Sequence, residues 1–266
     1  MAGEGEQHGN GAASGPQRDV FTLSVDVGGS GIKASVLDPR GDMVAEKVRM
    51  ATPYPLGPEL FINCIAELAG KLPEFDRISV GFTGMVRRGV ILTAPHFSRT
   101  GGPDTPVDKD LLRQWTGFDM AAVLEGRFQV PARVANDADV QGAAVVSGKG
   151  LELVMTLGTG FGTGMFYDGK LLPHLEIAHH PVHDNDDYNA YIGDSTRRDI
   201  GNEKWSKRVI KVIDTLRNLM FFDIGYVGGG NAKCLTVDLP ADCEKVDNTA
   251  GILGGIKLWE HGHISV

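Results

Sequence analysis

The chain has 266 residues, 42% of them hydrophobic and 23% charged, with a formal net charge of −8 at pH 7. That is a globular composition for one or two packed domains, and its negative total leaves no global field for DNA or RNA, so any polyanion must meet a local basic patch. No run of about 18 apolar residues occurs, which argues against a transmembrane helix. The three cysteines, Cys64, Cys234 and Cys243, form no C-x-x-C pair and read as packing thiols of a reducing, cytoplasmic compartment.

Residues 1–20 are rich in Gly and polar residues without an apolar core. They read as a disordered tail and not as a secretory signal. From Phe21 the sequence FTLSVDVGGSGIKASVLDPRGDMVAE predicts a strand, a glycine turn, a strand, a turn at Pro39-Arg40-Gly41 and a third strand. Residues 58–72 place Leu60, Ile62, Ile65, Leu68 and Leu72 at helical spacing. A short apolar strand, 77–82, runs into Thr83-Gly84. Another, 132–134, precedes Asn136-Asp137-Ala138-Asp139 and a helix. A helix is predicted over 203–222, with Trp205, Val209, Val212, Ile213, Leu216 and Met220 on one stripe. A strand follows at 224–227, then Gly228-Gly229-Gly230-Asn231 and a last apolar helix over 249–259, for the core or for a subunit contact.

Residues 23–38 (LSVDVGGSGIKASVLD) align without a gap with 153–168 (LVMTLGTGFGTGMFYD). Both segments read as strand, glycine hairpin, strand. The repeat implies two related α/β lobes, 21–135 and 136–266, facing one cleft that holds the ligand.

Four clusters carry candidate chemistry. Asp26 ends a strand just before Gly28-Gly29-Ser30-Gly31. Glycine amides can hold phosphate oxygens, and the carboxylate can hold Mg²⁺ through water; a plain hairpin turn is the alternative. Gly158-Thr159-Gly160-Phe161-Gly162-Thr163-Gly164 supplies a second such loop. Asp137, at a strand end, is the candidate general base for phosphoryl transfer to a hydroxyl, with helix capping as the alternative. Asp139 suits the positive end of a helix dipole. The run 174–183 holds His174, Glu176, His179, His180 and His183. It lacks H-E-x-x-H, and Pro181 keeps His179 and His183 off one helical face. Sugar-hydroxyl ligation by Glu176 and His179 stands beside a buried polar pair and a zinc site.

The motifs DVGGSGIKAS, SVGFTGMV, RVANDADVQG, TLGTGFGTG, LEIAHH and YVGGGN resemble, in this order, those of the ROK sugar kinases. Within that family the chain resembles the polyphosphate-using glucokinases. The pointers are Gly84-Met85-Val86-Arg87, the run LTAPHF at 92–97 and EKWSKRV at 203–209. The resemblance implies an actin-like ATPase (ribonuclease H-like) duplicated fold. It implies a homodimer that moves phosphate from inorganic polyphosphate, or ATP, to the 6-hydroxyl of glucose with Mg²⁺. It makes Asp137 the base and places Gly84, Asn136, Glu176 and His179 at the sugar. Asp26, Gly28, Gly29, Ser30, Gly31, Lys33, Thr159, Gly160, Gly229 and Gly230 fall at the donor. Thr83 stands where many members have Pro, and Ala178 where many have Gly. The family's zinc-binding cysteine cluster is missing, so no zinc is expected. An ATP-only hexose or N-acetylhexosamine kinase is the alternative. A sugar-sensing regulator fits poorly, because about 20 residues before Phe21 are too few for a helix-turn-helix module.

A long polyphosphate outruns a nucleotide-sized pocket and needs a basic track on an acidic protein. Lys204, Lys207, Arg208 and Lys211 recur at three- and four-residue spacing on one helix face, with Arg87 elsewhere; a solvated face is the alternative.

Overall fold

The computed structural model describes residues 18–102, 105–246 and 250–260. The expected tail lies outside the described residues, apart from 18–20, where Arg18 pairs with Asp76 at 2.9 Å. The first half runs β1 (Thr22–Gly28), β2 (Gly31–Leu37), β3 (Val48–Ala51), α1 (Pro58–Ala69), β4 (Arg77–Phe82), β5 (Val86–Arg87), β6 (Val90–Ile91), α2 (Lys109–Trp115), β7 (Phe118–Asp119), α3 (Met120–Phe128), β8 (Ala132–Asn136) and α4 (Asp137–Ala143). The second runs β9 (Leu151–Leu157), β10 (Phe161–Tyr167), β11 (Lys170–Leu171), a 3-10 turn (Ile177–His179), β12 (Pro181–His183), β13 (Asp186–Asp187), α5 (Tyr188–Ile192), α6 (Asp194–Ile200), α7 (Asn202–Met220), β14 (Ile224–Gly228), β15 (Cys243–Lys245) and α8 (Ala250–Glu260).

Two five-stranded sheets share one plan, β3-β2-β1-β4-β8 and β11-β10-β9-β14-β15. In each, an antiparallel glycine hairpin (β1/β2, β9/β10) adjoins parallel strands. The sequence repeat lands on these hairpins: β2 and β10 coincide under it, and β1 and β9 differ by one residue. Each lobe has its own core. In the first, Phe61 meets the Phe82 and Trp115 rings edge-on at 5.9 and 5.5 Å. In the second, Trp205 packs with Val209, Val212, Ile213 and Leu216 and donates from Nε1 to the Ile192 carbonyl at 2.7 Å. Burying each such large side chain contributes about 1.5–3 kcal/mol.

Three expectations change. The strand expected after Gly41 forms further on, at Val48–Ala51, because 42–47 holds only an isolated bridge from Met43 to Leu37. Helix α1 ends at Ala69, and Leu60 is 44% exposed; the buried stripe is Phe61, Ile62, Cys64, Ile65 and Leu68. Helix α8 lies within 136–266 but packs on the first sheet. Ser24 and Ser79 donate from Oγ to the Ile252 and Gly255 carbonyls, both at 2.6 Å. Arg77 and Arg133 cover the Trp259 ring at 4.9 and 4.3 Å. A Cβ at Gly254 would lie 1.7 Å from the Val140 carbonyl oxygen, so this approach requires glycine. Ile252, Ile256 and Leu258 are therefore core residues. The expected last helix began at Thr249, which lies outside the described residues. Cys64 and Cys243 are buried, Cys234 is half-buried, and all three are free thiols.

Candidate active site

Between the two hairpins opens a cavity of about 630 Å³. Its walls bring together the first hairpin (Gly28, Gly29, Ser30), Thr83 and Gly84, Asn136 and Asp137, the second hairpin (Thr159, Gly160), Glu176 and His179, and Gly229 with Gly230. These segments lie far apart in sequence. They meet because the strands β1, β4, β8, β9 and β14 all end at this cleft, where α/β sheets place their ligands.

The first hairpin turns tightly, with Gly28 paired to Gly31. Its carbonyls are drawn back from the cleft: Thr52 donates from Oγ1 to Gly28 O at 2.8 Å and Tyr54 from its hydroxyl to Gly29 O at 2.7 Å. A glycine loop whose carbonyls are engaged in this way can meet an anion through its amides. Asp26 stands behind this loop and pairs with Lys33 Nζ at 3.0 Å. Asp26, Gly31 and Lys33 support the loop and do not line the cavity.

The second hairpin is braced differently. Asn189 Oδ1 accepts from Phe161 N at 2.8 Å. Asn231 donates from Nδ2 to Gly158 O at 2.9 Å and to Asp194 Oδ1 at 3.0 Å, and Asp194 N donates to Thr159 O at 3.1 Å. Gly229, with φ +88°, passes so close that a Cβ would meet the Leu157 carbonyl oxygen at 2.4 Å.

Asn136 caps α4: its Oδ1 accepts from Ala138 N at 2.8 Å, and its Nδ2 donates to Gly84 O at 3.0 Å. The cap is thus Asn136, and Asp137, in the first turn, presents its carboxyl to the cleft. Burial, followed by the negative charge of Asp26, pushes the Asp137 carboxyl up to about 7. A carboxyl poised near neutrality is what general-base chemistry at pH 7 requires.

The histidine-rich run disperses. His174 is buried against Asp139 at 3.0 Å. Exposed His179 faces Asp187 at 3.4 Å, and His183 stacks on Tyr191 with centroids 5.0 Å apart. Among the described residues no three His, Cys, Asp or Glu side chains gather as a metal site. The proposed basic track is separate from the cavity. Lys204, Lys207 and Lys211 are exposed, Lys207 pairs with Glu203 at 2.9 Å, and Arg208 lies over the Tyr191 ring at 4.6 Å. Arg87 flanks a small cavity of about 70 Å³ with Arg88, Asp139 and His174.

Several wall residues escape sequence reasoning. His96, against Gly29, and Arg99 come from a loop without periodicity. Thr52, Tyr54, Asn189, Asp194 and Asn231 act through loop carbonyls and amides. Of these, only Asn231 adjoins a glycine run in the sequence.

A duplicated α/β fold with paired glycine hairpins around a polar cleft is the architecture of the actin-like sugar kinases, and comparison with known proteins agrees. The ROK family model matches residues 22–186. The polyphosphate glucokinase of Mycobacterium tuberculosis (strain ATCC 25177 / H37Ra) is 30% identical over 253 residues, covering 90% of each chain. That of Mycobacterium leprae (strain TN) is 27% identical, covering 87% of this chain and 72% of its own length. The crystal structure of an inorganic polyphosphate/ATP-glucomannokinase from Arthrobacter sp. strain KM superposes with a TM-score of 0.75 at 28% identity, covering 91% of this chain and 100% of that one. The chain belongs to the ROK family.

Proposed function

We propose that this protein is a polyphosphate glucokinase: it transfers a phosphoryl group from inorganic polyphosphate, with ATP as a second donor, to the 6-hydroxyl of glucose. The observation that carries this reading is the placement of Asp137, its carboxyl pushed up to about 7, in a cleft lined by two glycine hairpins. The choice of donor and sugar rests on the similarity to the mycobacterial polyphosphate glucokinases and the Arthrobacter enzyme.

Glucose sits at the end of the cleft formed by Gly84, Asn136, Glu176 and His179. Its 6-hydroxyl meets Asp137, which accepts the proton as the oxygen attacks the terminal phosphorus. The donor phosphates lie along Gly28, Gly29 and Ser30 of the first hairpin and Thr159-Gly160 of the second, with Gly229 and Gly230 bordering them. Fixed amides stabilise charge that grows on the equatorial oxygens and need no reorganisation. Asp26, behind the first loop and already paired with Lys33, would reach a Mg²⁺ in the cleft only through bridging water, and a cation there would relieve the negative field that raises Asp137. When bound, that ion supplies neutralisation of donor phosphate charge.

The test offers purified protein glucose and Mg²⁺ with either polyphosphate or ATP and measures glucose 6-phosphate. Formation from polyphosphate is expected. Formation from ATP alone would make this an ATP-only hexose kinase of the same family.

A further inference from the structure

One cluster of titratable groups beside the cleft takes no part in the chemistry above. The His174 side chain is 5% exposed and that of Asp139 3%. Nδ1 of the ring lies 3.1 Å from Asp139 Oδ1 and 3.0 Å from Oδ2. Strand β10 closes over this contact: a Cβ at Gly164 would sit 3.1 Å from Asp139 Oδ1, a tight approach that glycine eases. The other ring nitrogen, Nε2, is buried without a hydrogen-bond partner among the described residues, although the ring lines the cleft. Its nearest acidic oxygen is Glu176 Oε2, 3.8 Å away, within ion-pair range and beyond a hydrogen bond. A buried polar nitrogen left without a partner is costly and calls for an explanation.

We propose that His174 is a positioning residue for sugar recognition: Asp139 fixes its ring so that Nε2–H faces the cleft and draws the Glu176 carboxylate onto it when the sugar binds. One Glu176 oxygen is then held by His174 and the other is left to accept a sugar hydroxyl. The inference rests on reading this end of the cleft as the sugar site. It assigns a role to Asp139 as well, whose carboxylate orients the ring from behind, as second carboxylates do for functional imidazoles.

The arrangement requires the ring to carry both protons. A neutral imidazole has one N–H, and Asp139 would take it, turning a bare acceptor nitrogen toward a carboxylate. The groups facing the ring favour the charged form. Asp139 on α4 and Glu176 on the following loop flank it, Asp137 lies on the same helix, and Arg87 and Arg88 share the small cavity behind. Burial pushes the ring down, but hydrogen bonding to Asp139 and the interaction with Glu176 outweigh it, raising His174 to about 10. In return, interaction with His174 holds the Glu176 carboxyl below its usual range.

The test measures glucose binding by calorimetry without donor, for the wild type, His174→Gln and Asp139→Asn, between about pH 6 and pH 9. Wild-type affinity is expected to show no step from the ring across this interval, any change being the one that Asp137 imparts as it titrates near 7, and the variants are read against that wild-type profile. His174→Gln is expected to bind about 10-fold more weakly, the worth of one charge-assisted hydrogen bond. Asp139→Asn removes the carboxylate that raises the ring, so its affinity is expected to fall as pH rises. A structural role alone gives no such pH dependence. Imidazole ¹⁵N shifts of wild-type His174 at pH 8 decide the matter if a variant fails to fold. A doubly protonated ring is expected, and a neutral ring overturns the proposal. Wild-type affinity retained by His174→Gln overturns it too. No glucose binding by the wild type removes the sugar reading itself, and this inference with it.

Discussion

The two glycine hairpins fall on one repeat, matching in the second strand and offset by one residue in the first, and are built differently. Where the first strand carries Asp26, the second carries Thr156 at the corresponding place: Asp26 pairs across to Gly81, and Thr156 to Gly228. The first loop is tied to its own sheet by Thr52 and Tyr54 and carries an ion pair, Asp26–Lys33, whose carboxylate acts on the Asp137 carboxyl. The second is tied by Asn189, Asn231 and Asp194 to the helices of its lobe and presents hydroxyls and amides without a carboxylate of its own. The repeat thus gives two glycine hairpins, one with Asp26 on its first strand and one with Thr156 at the matching place. In the function proposed above both loops hold the donor, and only the charged one also tunes the base.

The sharpest way to break this division is at the carboxyl next to the charged loop. Asp137→Asn keeps the shape and removes the proton acceptor, so kcat is expected to fall by about 10²–10⁴-fold. Stability should move the other way. The folded carboxyl is raised from 3.8 to about 7, so its buried charge costs stability that is absent below about pH 4, grows through that window and is complete above about 7. Urea unfolding at pH 8 is expected to show the variant more stable by on the order of 2 kcal/mol, and at pH 4 no gain. Normal turnover in the variant would remove Asp137 from the mechanism.

The neutral loop can be tested through its backbone. Gly229→Ala forces a Cβ against Leu157 at a positive φ, whereas at Gly31 of the first hairpin the nearest atom would be Met50 O at 3.2 Å. Gly229→Ala is expected to destabilise by about 1–3 kcal/mol and to raise the donor KM more than the glucose KM, as Gly31→Ala does only weakly. Equal, small effects at both glycines would mean that the loops are interchangeable.

Glu176→Gln and His179→Ala sharpen the boundary between donor and sugar. Glu176→Gln, at a half-buried carboxylate, is expected to raise the glucose KM by about 10-fold and His179→Ala, at an exposed ring, by less, with the donor KM little changed in both. The smallest expected effect concerns α7. Its lysines lie away from the cavity, so only a donor longer than a nucleotide can reach them. Replacing Lys204, Lys207 and Lys211 with Ala should raise KM for long polyphosphate a few-fold and lower its salt sensitivity, leaving ATP unchanged. Equal effects on both donors would remove α7 from the donor path.

Much of this arrangement is legible in the sequence. Strand alternation, glycine spacing and the repeat place both hairpins, and the polar run after a strand places Asp137, because these features are local. What fails is long-range. Nothing near Ser24 or Ser79 announces that their hydroxyls hold α8, whose Gly254 and Gly255 fit it against α4 and the first sheet. Asp139 suits a helix dipole by position, yet its partner is His174, 35 residues on. The four histidines look like a cluster in the chain and separate in space, because β12 and the 3-10 turn point them different ways. Tyr54 and Thr52 sit in an aperiodic stretch, and only the folded loop shows which carbonyls they hold.

The most direct test is the pH dependence of kcat/KM for polyphosphate-driven glucose phosphorylation. With Asp137 as the base, the rate climbs tenfold per pH unit below about 7 and levels off above it, and in Asp26→Asn the midpoint moves lower, because the Asp26 charge is part of what raises Asp137. A profile flat through neutrality in the wild type, or a midpoint unmoved in Asp26→Asn, would contradict the assignment of the base and of the charged hairpin that tunes it.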